Sequence, residues 1–192
     1  MTRVFAILLR LNDEVPGLKK IEMKLVRSTL NEVPAIMKII GDAQRFLATL
    51  GIDQWQDGYP NEEQVRLDIN NQDSYVILND EEVIIGTTVF TFKAESTYQQ
   101  IDGEWKTSEN SLYGVIHRLA VDDSYRKVGL ARFVFDQCEQ LVKQHLIAKS
   151  LRIDTHRGNL GMQGLLKKRN YSYCGVIYLD SGDDRLAFEK VL

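Results

Sequence analysis

A chain of 192 residues, 44% hydrophobic and 27% charged, has room for one domain with a buried core and does not have the composition of a disordered or fibrous protein. Its formal net charge of −3 argues against a partner held by bulk electrostatics, so nucleic acid and anionic membranes are excluded as expected partners. The two cysteines, Cys138 and Cys174, have neither metal-ligand spacing nor a disulfide framework; we expect buried free thiols, a reducing compartment and no metal site.

The run from Val4 to Leu9 closes at Arg10, is too short to span a bilayer and is followed by no small-residue cleavage site, so the expected location is cytoplasmic. Residues 1–22 read as an N-terminal extension and residues 23–192 as a single domain. Lys24-Leu25-Val26-Arg27 reads as a first strand. Asn31 is the expected N-cap of a helix whose apolar residues Ile36, Ile39, Ile40, Ala43, Leu47 and Leu50 recur at helical spacing, and Gly51 stops it. Residues 51–60, which include Trp55 and Tyr59, form a loop by their Gly, Asp and Pro content, and Asn61 opens a short helix through Ile69. Ser74 to Leu78 and Val83 to Phe92 are rich in β-branched and aromatic residues and read as a hairpin turning at Asn79-Asp80-Glu81. The polar stretch 94–111 reads as an excursion between core strands, with Tyr98 and Ile101 facing Trp105 across a hairpin turn at Asp102-Gly103.

A strand from Tyr113 to Val121 follows, then a loop and a long helix from Leu130 to Ile147, apolar at Phe133, Val134, Cys138, Leu141 and Val142. A strand from Leu151 to Thr155, a helix from Leu160 to Arg169 and closing strands at Tyr173 to Leu179 and Arg185 to Val191 complete the chain. This order predicts an α+β fold with a mixed, mostly antiparallel central sheet flanked by helices. Its parallel pair is Tyr113 to Val121 and Leu151 to Thr155, because a helix joins them. The closing strands read as exposed, which makes a homodimer reasonable.

Chemistry concentrates where the strand ending at Val121 breaks into Asp122-Asp123-Ser124-Tyr125-Arg126-Lys127-Val128-Gly129 and opens a helix at Leu130-Ala131. Free N–H groups at a helix start, together with the positive end of the helix dipole, suit an anion such as a pyrophosphate. Gly129 permits close approach, and Arg126 and Lys127 add charge. The loop lacks the Lys-Ser/Thr ending of a nucleotide P-loop and is not a Gly-x-Gly-x-x-Gly turn. Gly158, Gly161 and Gly164 match neither fingerprint and read as flexibility at a helix entry. His145 and His156 show no metal-ligand spacing and read as surface or core residues.

Arg126-x-x-Gly129-x-Ala131 resembles the Arg/Gln-x-x-Gly-x-Gly/Ala motif of the GNAT N-acetyltransferase superfamily. Two flanking segments strengthen the resemblance: His117-Arg118-Leu119-Ala120-Val121 before the loop, and Asn159-x-x-Met162-x-x-Leu165-Leu166-x-Lys168-x-Asn170-Tyr171 after the next strand. The chain is thus similar to small bacterial GNAT acetyltransferases over roughly residues 23–192. That resemblance implies acetyl-CoA as co-substrate and transfer of its acetyl group to a primary amine by direct attack in a ternary complex. It puts the pyrophosphate on the amides of Arg126, Lys127, Val128, Gly129, Leu130 and Ala131, and the pantetheine along Leu119, Ala120 and Val121. The amide of Leu119 would polarise the thioester carbonyl. Asn159 matches a CoA-contacting position, and an ordinary N-cap explains it equally well.

An amine acceptor is mostly protonated at neutral pH, so a base is needed. His117 is the candidate: strand alternation puts it on one face with Leu119 and Val121, and in the arylalkylamine branch of the family a histidine occupies the matching place. A structurally hydrogen-bonded histidine is the competing reading. Leu166 stands where many family members place the tyrosine that reprotonates the thiolate, so the acid falls to Tyr171, to Tyr173 or to water. The alternative function is therefore a non-catalytic acyl-CoA-binding or regulatory module. For the acceptor, Trp55 and Tyr59 offer aromatic faces and Asp53, Asp57, Glu62 and Glu63 counter-charge, although a solvated acidic loop explains the acids as well.

Overall fold

The described residues form eight strands and four helices, one strand more than those patterns predict. In chain order they are β1 (Lys24–Arg27), α1 (Val33–Thr49), α2 (Glu62–Asn70), β2 (Ser74–Leu78), β3 (Ile84–Thr91), β4 (Ile101–Gly103), β5 (Tyr113–Val121), α3 (Leu130–Gln144), β6 (Ser150–Thr155), α4 (Leu160–Lys168), β7 (Ser172–Tyr178) and β8 (Asp184–Val191). The computed structural model describes residues 22–126 and 128–192, so the extension expected at residues 1–22 lies, but for Glu22, outside the described residues.

The strands form one sheet in the order β1-β2-β3-β5-β6-β8-β7-β4. Only β5 and β6 run parallel; every other pair is antiparallel. Side-chain alternation along each strand divides the core between the two faces of the sheet. On β2, Val76 packs with Val33, Ile36 and Ile40 of α1 and Val65 and Ile69 of α2, while Tyr75 and Ile77 join Phe133, Val134 and Cys138 of α3 on the opposite face. A third cluster, Tyr98, Val115, Cys174, Ile177 and Ala187, fixes the 94–111 excursion beside the α1–α2 layer.

Four local expectations are corrected. Helix α1 is entered through a 3-10 turn at Leu30–Glu32, capped where Glu32 Oε2 accepts from the Thr29 amide at 2.5 Å; Asn31 is not the cap. Helix α3 stops at Gln144, because His145 turns to an extended conformation. Asp102-Gly103 is not a hairpin turn. Both residues lie in β4, which pairs with β7 so closely that a Cβ on Gly103 would sit 2.1 Å from the Cys174 carbonyl oxygen, and one on Gly175 2.2 Å from that of Asp102. Only glycine fits either side of that crossing. Finally, the closing strands are not the edges of the sheet, which are β1 and β4, although β4 covers only residues 175–177 of β7.

Candidate active site

Strands β5 and β6 pair only at their beginnings, Tyr113 with Ser150, Gly114 with Leu151 and Val115 with Arg152, although β5 runs on to Val121 and β6 to Thr155. Beyond that point they part. A cleft of about 940 Å³ opens there, lined by Ile116 to Val121 on one side and Ile153 to Thr155 on the other.

The parting strand also carries a bulge. Val89 of β3 pairs with His117 and Thr87 with Ala120, so two steps of β3 span three of β5. The extra residue is Arg118, whose φ of +51° lies in the left-handed region that non-glycine residues rarely adopt. Its guanidinium is held by Asp68 of α2 at 2.8 Å and by the Tyr59 hydroxyl. Burial raises the Asp68 carboxyl above its ordinary range, with Arg118 and a 2.9 Å hydrogen bond from Gln64 pulling the other way. The bulge overturns the alternation expected for this strand. Leu119 and Val121 pack toward the α3 core, whereas His117 faces the excursion, its ring 6.3 Å from that of Tyr98. All three still line the cleft, because it passes between the parted strands and draws residues from both faces.

At one end stands the start of α3. Gly129 takes the N-cap position with φ +90°, and its carbonyl accepts the first helical bond from Phe133 at 2.9 Å. The N–H groups of a helix's first turn have no carbonyl one turn earlier. That turn borders a second cleft of about 690 Å³, lined by Val121, Arg126, Leu130 and Ala131 and also by Gly161 and Gly164 of α4. A Cβ at Gly129 or Gly164 would meet nothing within 4 Å. Those α4 glycines therefore keep the second cleft open, a role their spacing did not reveal. Arg126 and Val121 line both clefts; the Arg126 guanidinium lies over the Phe46 ring at 3.5 Å and binds Asp123 at 2.6 Å. Val128 is exposed and borders neither cleft, and Lys127 lies outside the described residues. The Asn159 side chain caps α4 through the Met162 amide at 3.1 Å and also lines the larger cleft.

Trp55 and Tyr59 also line the larger cleft, with Asp53 and Asp57. Asp53 binds His156 at 2.9 Å, and Glu62 is turned away onto Arg66 at 2.7 Å. The excursion contributes Glu95, whose carboxylate lies 2.9 Å from His117 Nε2. Tyr98, fully buried behind it, donates to Asp154 at 2.7 Å, and burial first of all pushes the Tyr98 hydroxyl well above its usual range. Nothing in sequence spacing pointed to Glu95, Arg118 or Asp154, since each reaches the cleft from a different element.

Tyr171 does not. It is 5% exposed, packs edge-on against Phe135 and donates to Glu139 at 3.3 Å in the α3 core; burial and then Glu139 push its hydroxyl far up. The acid role expected of Tyr171 does not fit this placement, and Tyr173, whose ring meets Phe188 edge-on at 5.7 Å, does not line the cleft. Leu166 is completely buried. Among the described residues no group of three or more His, Cys, Asp or Glu could hold a metal, and no helix is long and apolar enough to cross a membrane.

The mixed sheet thus parts between its two parallel strands, with a glycine-opened helix start beside the gap. Residues 37–171 match the family model described as Acetyltransferase (GNAT) family, and the chain belongs to that family. A GNAT-family acetyltransferase from Streptococcus agalactiae is 34% identical, with 89% of this chain and 96% of that one covered and a TM-score of 0.79. One from Listeria monocytogenes, 15% identical, covers 94% of this chain and 100% of its own at a TM-score of 0.72. A chain of the NatC complex bound to Gag peptide and CoA, 14% identical, covers 89% and 99% at 0.61. These last two likenesses show the fold alone. A search of curated proteins finds no match.

Proposed function

We propose that this protein is an N-acetyltransferase that moves the acetyl group of acetyl-CoA to a primary amine by direct attack in a ternary complex. The carrying observation is that the two clefts share Val121 and Arg126 in their walls, so together they border the α3 N-terminus, the end of β5 that β6 leaves unpaired, and His117. Bound there, acetyl-CoA supplies an acyl group already activated as a thioester. The amides of Gly129, Leu130 and Ala131 hold its pyrophosphate, and Gly161 and Gly164 leave it room. Leu119, Ala120 and Val121 pair with its pantetheine as an added strand would. The Leu119 N–H donates to the thioester oxygen as charge grows there. His117 takes the proton that the acceptor ammonium must lose, the new C–N bond forms as the C–S bond breaks, and water returns a proton to the departing thiolate. Trp55 and Tyr59 give the acceptor cation an aromatic face.

Calorimetry with acetyl-CoA tests the binding half. Wild type is expected to bind at micromolar concentration. Gly164→Glu is the sharpest variant, because it adds negative charge to open space on a regular helix, whereas Gly129→Glu also forces a side chain onto φ +90°. Both should abolish binding; no binding by folded wild type would sink the proposal. A second reading, an acyl-CoA-binding module without turnover, is favoured by Leu166 and Tyr171 both lying in the core. It predicts tight acetyl-CoA binding with no thiol release for any amine in a broad panel.

A further inference from the structure

We infer that Glu95 is a positioning residue that holds the His117 ring as its Nε2–H tautomer and leaves Nδ1 as the proton-accepting atom; the inference rests on His117 being the base.

The contact is direct. Glu95 Oε2 lies 2.9 Å from His117 Nε2, with both side chains largely withdrawn from solvent, at 29% and 19% exposure. A neutral imidazole has one N–H and one lone pair, and a carboxylate can only accept, so the nitrogen that faces it must carry the hydrogen. Nδ1 is then the nitrogen with a lone pair. The hydrogen bond from His117 lowers the Glu95 carboxyl below its ordinary range, against partial burial, so Glu95 is an anion across the neutral range. An anion at that place also stabilises the imidazolium formed when Nδ1 takes a proton.

Glu95 is placed by structure built for the purpose rather than left on a free loop. Its own amide donates to the Tyr113 hydroxyl at 3.4 Å. The 3-10 turn that follows it, Ser96–Tyr98, is anchored by the buried Tyr98 and its bond to Asp154. Further along, the excursion is clasped to the sheet. The Lys106 and Thr107 amides and the Thr107 hydroxyl all donate to Glu189, which is completely buried and also binds Arg152 at 2.9 Å. The Arg152 guanidinium is in turn sandwiched between Trp105 at 4.1 Å and Tyr113 at 3.8 Å. Three separate anchors thus fix the stretch that presents one carboxylate to one imidazole nitrogen.

The test has a spectroscopic arm and a kinetic arm. In full-length protein, ¹⁵N chemical shifts of the His117 ring above its titration should show Nε2 protonated and Nδ1 bare. In Glu95→Ala the two nitrogens should move toward each other as the tautomers mix. With tryptamine or spermidine as acceptor and CoA thiol release as readout, Glu95→Ala should lower kcat roughly 10- to 100-fold, less than the 10²- to 10⁴-fold carried by a whole general base. The KM for acetyl-CoA should not change. Combined with His117→Ala, it should add no more than about twofold, because residues acting as a unit are not additive. Glu95→Gln keeps the volume and a possible acceptor oxygen and should fall between wild type and Glu95→Ala; it also stands in should the alanine variant fail to fold. A bare Nε2 in wild type, or a kcat kept by Glu95→Ala and Glu95→Gln where His117→Ala loses it, overturns the inference. Full activity in His117→Ala would instead overturn the base assignment itself, and the ring shifts would then decide the tautomer alone.

Discussion

The two halves of the cleft are built from different materials. The proposed cofactor half runs along Leu119, Ala120 and Val121 to the start of α3, and its contacts are backbone amides placed by a strand end and Gly129. The proposed acceptor half draws on side chains of Trp55, Tyr59, Glu95, His117 and Asp154, gathered from a loop after α1, the excursion, β5 and β6. Backbone donors tolerate almost any side chain provided the local conformation is kept, so that half needs few particular residues. Side-chain sites need each residue carried to the same place by the fold, so that half is precise only because distant anchors hold it.

If the halves are separable in this way, variants on each side should leave the other untouched. His117→Ala should cost the most, roughly 10²- to 10⁴-fold in kcat, with the calorimetric Kd for acetyl-CoA unchanged; an equal loss of acetyl-CoA binding would break the division. Next comes the clasp beneath the acceptor half. Removing a partner of a buried ion pair costs about 3–5 kcal/mol, so Glu189→Ala should lower the unfolding free energy by that amount in urea titration and raise acceptor KM in whatever folds. Burial alone would raise the Glu189 carboxyl, but hydrogen bonds from Ser150, Thr107 and Arg152 outweigh it and hold it low. A carboxyl whose folded pKa is depressed stabilises the fold above its unfolded pKa, and that stability is lost as pH falls through the folded value. Glu189→Gln should therefore flatten the acid limb of stability against pH that wild type shows below about pH 4.3.

Smaller effects sharpen the contrast. Arg126→Ala should weaken acetyl-CoA by no more than about fivefold, the ~1 kcal/mol upper end for a solvent-exposed ion pair, because backbone carries that half; a loss of two orders of magnitude would mean that the Arg126 side chain, and not the helix start, holds the anion. Trp55→Ala should raise acceptor KM about twofold, the ~0.5 kcal/mol of a cation–π contact at an exposed site, with acetyl-CoA affinity unaltered in the same titration.

The elements were legible because each follows from local rules. Alternation wrote β2 and β3, helical spacing wrote α1 and α3, and the Asn61 cap opened α2 where its side chain accepts from the Gln64 amide at 2.9 Å. Two of the misreadings share one cause. Asp102-Gly103 looked like a local turn, but its glycine answers to Gly175, more than seventy positions away in the chain. His117 and Leu119 looked like neighbours on one face because a bulge leaves no mark in the residues that carry it; Arg118 is held in its left-handed conformation by Asp68 and Tyr59.

By itself the sequence determined the order of elements apart from β4, the parallel pair, the glycine-opened helix start and hence the family, from patterns that each span a few residues. Only the tertiary structure decided where β5 parts from β6, which face His117 presents, that Tyr171 lies in the core, and that Glu95 meets His117. Those features depend on packing between elements distant in the chain, and no local spacing records which distant residue will be there to pack.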